Sequence, residues 1–231
     1  MKTITVLLSA VLSFHILYSQ NYAALFIPGY QFGKVSVTGP SGDFNYHPNY
    51  ITFSGGGIKD GLFVEADGTI LFHGFLDMIN VNSNAQGHDP ENLEGGFFSF
   101  RLGGVTGTEN KIGFAWDMDV HVTNFRYDNT NLYFGTGPML VALFPIGETG
   151  VSIMPKVGYD MNFTDRQTKP IDGHTLIFET GIGIRLYGAW GIALQPMWHS
   201  RTFIQDDYSG GSFHTKSNMF LTRIGIGNFS S

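Results

Sequence analysis

The chain has 231 residues, 31 of them Gly, with 15 % aromatic and 14 % charged residues, no Cys and a formal net charge of −6. The acidic balance excludes the basic face that a nucleic-acid partner needs. The missing Cys excludes disulfide scaffolds, thiol catalysis, Cys-zinc sites and a lipid-modified N-terminal Cys. Aromatics this frequent belong to an ordered chain, and the length suits one all-β domain.

Met1 and Lys2 make a short positive start, and the apolar run Ile4 to Tyr18 follows it. A run of about 15 residues is too short for a spanning helix and right for the apolar stretch of an export signal. We therefore read residues 1–20 as a signal peptide and 21–231 as one exported domain.

Beyond the signal the apolar period is 2. Two candidate strands, 25–37 and 49–58, flank a polar loop at 38–48, and Pro28, Gly29 and Gly33 blur the alternation of the first. Eight more follow, at about 61–78, 95–106, 111–124, 131–145, 151–163, 174–187, 189–203 and 213–228. In the third of these, Ile112, Phe114, Trp116, Met118, Val120 and Val122 alternate with Lys111, Gly113, Ala115, Asp117, Asp119, His121 and Thr123. Long polar connections at 80–94, 125–131, 164–173 and 204–212 alternate with tight turns near 59–61, 106–110, 146–150 and 187–189. That rhythm predicts an up-and-down antiparallel transmembrane β-barrel, long loops outside and short turns in the periplasm. Ten strands keep both termini on the turn side; eight is the alternative count.

Which way the apolar faces point decides between a membrane barrel and a soluble one. A soluble lipocalin-like barrel turns its apolar face inward to hold a hydrophobic ligand and shows water a charged surface. Here the polar faces are Gly-rich and poor in charge, and the apolar faces persist over about 10–13 residues, enough for a tilted strand to cross a bilayer. Trp190 and Trp198 share an apolar face, and their separation corresponds to roughly 20 Å of height, matching two aromatic girdles.

The strand–loop rhythm and Gly-aromatic strands such as GIGIRLYGAWGIALQPMW at 181–198 resemble the small OmpA/OmpX-like outer-membrane β-barrel proteins. The Ser19-Gln20 signal ending resembles those of Bacteroidetes-type bacteria. The resemblance implies a barrel architecture in the outer membrane, with outer-membrane lipid as partner; a non-enzymatic structural or surface-interaction role is the main expectation for it. Such barrels usually end in an aromatic residue that follows the alternation, whereas Phe229 falls on the opposite parity from Phe220, Ile224 and Ile226.

On this reading the lumen receives Glu65, Asp67, Asp117, Asp119, Asp160 and Glu179, balanced by Arg101, Lys111, Lys156, Arg185, Arg201 and Arg223, with Gln195, His73, His121 and His199 among them. A charged network filling the lumen is the expected role, because a buried charge must be paired.

A sharper alternative is a barrel hydrolase using Asp117, Asp119 and His121, which period 2 places on one face within about 14 Å. The spacing resembles outer-membrane proteases that use an Asp pair with an Asp-His pair. Ser200 adjoins His199 but faces away, which removes the nucleophile that an outer-membrane lipid A deacylase would need. His73, His121, His199 and Asp119 have zinc-ligand chemistry but sit mostly on separate strands. No metal or cofactor is expected. The loops at 80–94 and 164–173 are the surfaces offered to an extracellular partner, and a closed barrel, lacking a free edge, is expected as a monomer.

Overall fold

The computed structural model describes residues 22–39, 42–46, 49–71, 96–123, 131–146, 149–164, 173–206 and 212–229. The signal segment 1–20 and the loop 80–94 lie outside the described residues, as does His73. The strands are β1 (Tyr22–Gly39), β2 (Gly42–Tyr46), β3 (Asn49–Lys59), β4 (Leu62–Leu71), β5 (Gly96–Thr106), β6 (Lys111–Thr123), β7 (Asn131–Ile146), β8 (Val151–Thr164), β9 (Gly173–Tyr187), β10 (Trp190–Asp206) and β11 (Ser212–Asn228).

From β3 to β11 each strand pairs antiparallel with the next in the chain; β1 pairs with β3, and β11 returns to β1 from Ala23↔Asn228 to Thr38↔Lys216. The result is a closed, up-and-down antiparallel barrel of ten strands, β1 and β3 to β11. β2 continues the line of β3 along the outer end of β1, from Val35↔Tyr46 to Gly39↔Gly42. The segment expected as a loop at 38–48 is thus largely a hairpin extension of β1, its backbone paired from Val35↔Tyr46 to Gly39↔Gly42.

The tight turns follow local chemistry. Asp60 and Gly61 have φ values of 48° and 82°, so β3 and β4 are joined by a two-residue turn of the type whose twist suits a hairpin. The irregular alternation of β1 has a backbone cause. Its register shifts between Phe26 and Gly29 against β3 and between Leu25 and Tyr30 against β11. Pro28, which has no N–H for a ladder, sits inside that bulge. The bulge inverts the parity: Tyr22, Ala24 and Phe26 are buried, while Phe32 beyond it is exposed.

Charge and apolarity are distributed inside out. Phe114 (71 %), Phe220 (58 %), Phe98, Trp116, Met118, Leu140 and Ile226 are exposed around the wall, while Arg101, Arg201, Arg223 and Lys156 are among the largest fully buried side chains. Trp198 stands on the outer face with its ring 5.1 Å from Phe178 and 6.1 Å from Phe220. The turn-side end of the lumen is sealed by an apolar cluster that includes Phe26, Ile58, Phe63, Val141 and Met154. Phe229 joins this plug. Its N–H donates to the Ala189 carbonyl at 2.7 Å, and its ring lies 5.2 Å from that of Tyr22. The off-parity terminal aromatic is therefore turned into the barrel rather than out of it.

Candidate functional site

Consecutive register partners carry one row of inward residues around most of the wall. Glu65 on β4 faces Arg101 on β5, which faces Asp117 on β6, which faces Gly137 on β7. The Thr136↔Met161 register sets Gly137 beside Asp160 on β8, and the row continues through Thr175, Arg201 and Ser217. Period 2 puts each on the lumen face, and all the polar members are buried.

Arg101 is the centre of the network. Its Nη1 donates to Glu65 Oε1 at 2.5 Å and to Glu179 Oε2 at 2.8 Å, Nη2 donates to Glu179 Oε1 at 2.9 Å, and Nε to Asp117 Oδ2 at 3.2 Å. Lys156 Nζ donates to Glu65 Oε1 and Oε2 at 2.7 and 2.8 Å and lies 2.6 Å from Glu179 Oε2. Gln195 and His199 complete the shell of Glu179 at 2.8 and 2.9 Å. Closer to β11, Arg223 pairs with Asp67 at 2.6 Å, while Arg201 lies 3.9 Å from Asp119. Charge-assisted and partly bidentate contacts of the kind that Arg101, Lys156 and Glu179 make can offset desolvation.

The expected six-to-six balance needs correction. Six buried carboxylates face four buried Arg and Lys among the described residues, because Lys111 and Arg185 stand only half-buried near the tight turns. Each is at or near the end of its strand, where a long side chain reaches water.

The candidate catalytic residues Asp117, Asp119 and His121 share β6. Asp117 and Asp119 both face the lumen, but Asp117 is bound to Arg101 and buried to 0 % exposure. The backbone of His121 pairs with Phe97 and Tyr133,, while its side chain lies outside the described residues. His199, a candidate metal ligand by type, is engaged with Glu179. Among the described residues no group of three Asp, Glu or His forms a ready-made metal chelate. The lumen residues singled out from the sequence do not include Asn162 and Thr175, which bond to each other inside the wall at 3.0 Å. Parity does locate both on the lumen side, but their uncharged side chains give no signal of their own. Tyr22 was hidden by the β1 bulge.

A cavity of about 10 Å³, lined by Tyr22, Ser54, Glu65, Met154, Gly181 and Gln195 among others, has room for one water.

No protein-family model matches the chain. No curated protein matches it. Among solved structures it is similar to the outer membrane protease OmpT from Escherichia coli, with a TM-score of 0.51 and 9 % identity over 90 % of this chain and 95 % of that one. At that identity the likeness is one of fold: this chain has an outer-membrane-type β-barrel.

Proposed function

We propose that the protein spans the outer membrane as a non-enzymatic barrel with a sealed lumen, serving a structural or surface-interaction role through its loop end. The observation that carries this reading is the inside-out distribution of polarity. Large apolar side chains ring the outside, and among the described residues ten Asp, Glu, Lys and Arg are buried within. An aqueous outer surface gains nothing from exposed Phe, Trp and Leu, whereas a bilayer takes them at no cost. A lipocalin-like ligand cavity needs the opposite arrangement, with the apolar faces lining the inside. The ion-pair network and the Tyr22–Phe229 plug support a filled lumen rather than a conducting one. The OmpA/OmpX-like resemblance and the export signal agree with this placement. The loops at 80–94 and 164–173 are the surfaces for an extracellular partner.

Membrane fractionation, followed by gel electrophoresis with and without boiling, tests the reading. The expected result is an outer-membrane band whose mobility shifts on boiling, the mark of a stable closed barrel. Recovery in the soluble fraction without a shift overturns it.

A further inference from the structure

The inward row that carries the ion-pair network alternates sign as far as Asp117 and then stops doing so. Glu65, Arg101 and Asp117 read minus, plus, minus, but the next position is Gly137 and the one after it is Asp160. One row nearer the loops, Gly135 stands in the same way between Asp119 and Asn162. β7 therefore offers no side chain where its two neighbours offer four oxygen-bearing ones. Residues two strands apart have Cα atoms about 9.5 Å from each other, and inward curvature brings their side chains closer. Asp119 already leans across: its Oδ1 occupies the place a Cβ would take at Gly135, with Asn162 Oδ1 3.1 Å from that point.

Asp160 supplies an independent observation. It is fully buried at 0 % exposure, and neither carboxylate oxygen has a hydrogen-bond partner. Asp117 Oδ1, across the Gly137 gap, is likewise buried without one, its Oδ2 being taken by Arg101. Arg201 lies toward Asp119 at 3.9 Å, and no ion pair reaches Asp160 among the described residues. A buried carboxylate without a partner is costly, and among the described residues six buried carboxylates face four buried Lys and Arg.

We propose that Asp117 and Asp160 bind one calcium-class divalent cation across Gly137, with Asp119 and Asn162 as the flanking oxygens. Oxygen-only donors select a hard cation over zinc or copper. Calcium tolerates irregular shells at about 2.3–2.6 Å, whereas magnesium demands a near-ideal octahedron that this asymmetric set does not offer. In this proposal two carboxylates hold the ion, and water or amide oxygen completes its shell. The site belongs to the lumen and is independent of where the barrel resides.

Calorimetric titration of the chelator-stripped, folded barrel in detergent with calcium chloride tests this. The expected result is saturable uptake of one calcium per barrel, weakened at least tenfold by Asp160→Asn in protein whose band still shifts on boiling. Asp119→Asn, which leaves the Arg101–Asp117 pair intact, provides a second folded variant and is expected to weaken uptake less. Absence of saturable uptake by the wild-type barrel overturns the proposal without recourse to any variant, the interior charge then being met by protons. Uptake undiminished in folded Asp160→Asn overturns the site, and equal or tighter binding of magnesium overturns the calcium-class assignment.

Discussion

Arg101 on β5 and Glu179 on β9 meet inside the barrel through two parallel hydrogen bonds of 2.8 and 2.9 Å, although 78 residues separate them in the chain. The planar guanidinium matches the carboxylate in a fork, and the pair ties opposite parts of the wall together. Lys156, Gln195 and His199 all reach the same carboxylate. Replacing Glu179 by Gln leaves two buried cations facing a neutral amide. The expected cost is about 3–5 kcal/mol in denaturant unfolding, as for a buried pair that loses one partner. Glu109→Gln, in the exposed turn before β6, is expected to change stability by less than about 0.5 kcal/mol.

The turn-side plug is predicted to show coupling between Phe229 and a glycine. A Cβ at Gly183 would sit 2.5 Å from Cδ1 of the Phe229 ring. Gly183→Ala should therefore destabilise the barrel by about 1–3 kcal/mol through overpacking. The penalty should shrink in a Phe229→Ala background. A double-mutant cycle reads this directly, and additive costs would show that the ring does not occupy that hollow.

The outer face provides a test that separates lipid from water. Leu140 is 43 % exposed between Phe114 on β6 and Val157 on β8. Leu140→Arg should cost about 2–4 kcal/mol for folding into bilayers, as for a charge near the midplane, whereas Leu186→Arg at the end of β9 should cost about 0–1 kcal/mol. Equal, small effects at both positions would show that the apolar wall does not contact lipid.

Asp117 and Asp119 distinguish a filled lumen from a hydrolytic site. Replacing both by Ala strips Arg101 of one partner, so a stability loss of about 3 kcal/mol is expected. Under the non-enzymatic reading, cells carrying a folded double variant keep the wild-type phenotype. Loss of a hydrolytic activity toward peptide or lipid, with the boiling shift retained, would instead favour the hydrolase.

The sequence by itself determined the strand rhythm, because alternation with period 2 and the Gly- and Asp-rich turns are local properties. The strand positions from Gly61 onward, their short turns and the inward parity of Glu65, Arg101, Asp117, Lys156, Glu179 and Arg223 are legible from residue order, while closure of β11 onto β1 decided ten strands over eight. Tertiary structure decided what parity cannot carry. The bulge at Pro28 reverses the faces of β1 and brings Tyr22 inside, which no alternation count reveals across an irregular backbone. Phe229 leaves its ladder to fill a hollow floored by Gly183 and Gly227 from two different strands. Pairing across the lumen is likewise non-local: closure and stagger of the wall set Glu179 beside Arg101 and left Gly137 between Asp117 and Asp160. Sequence counts charges on a face, but only the closed register decides which of them meet.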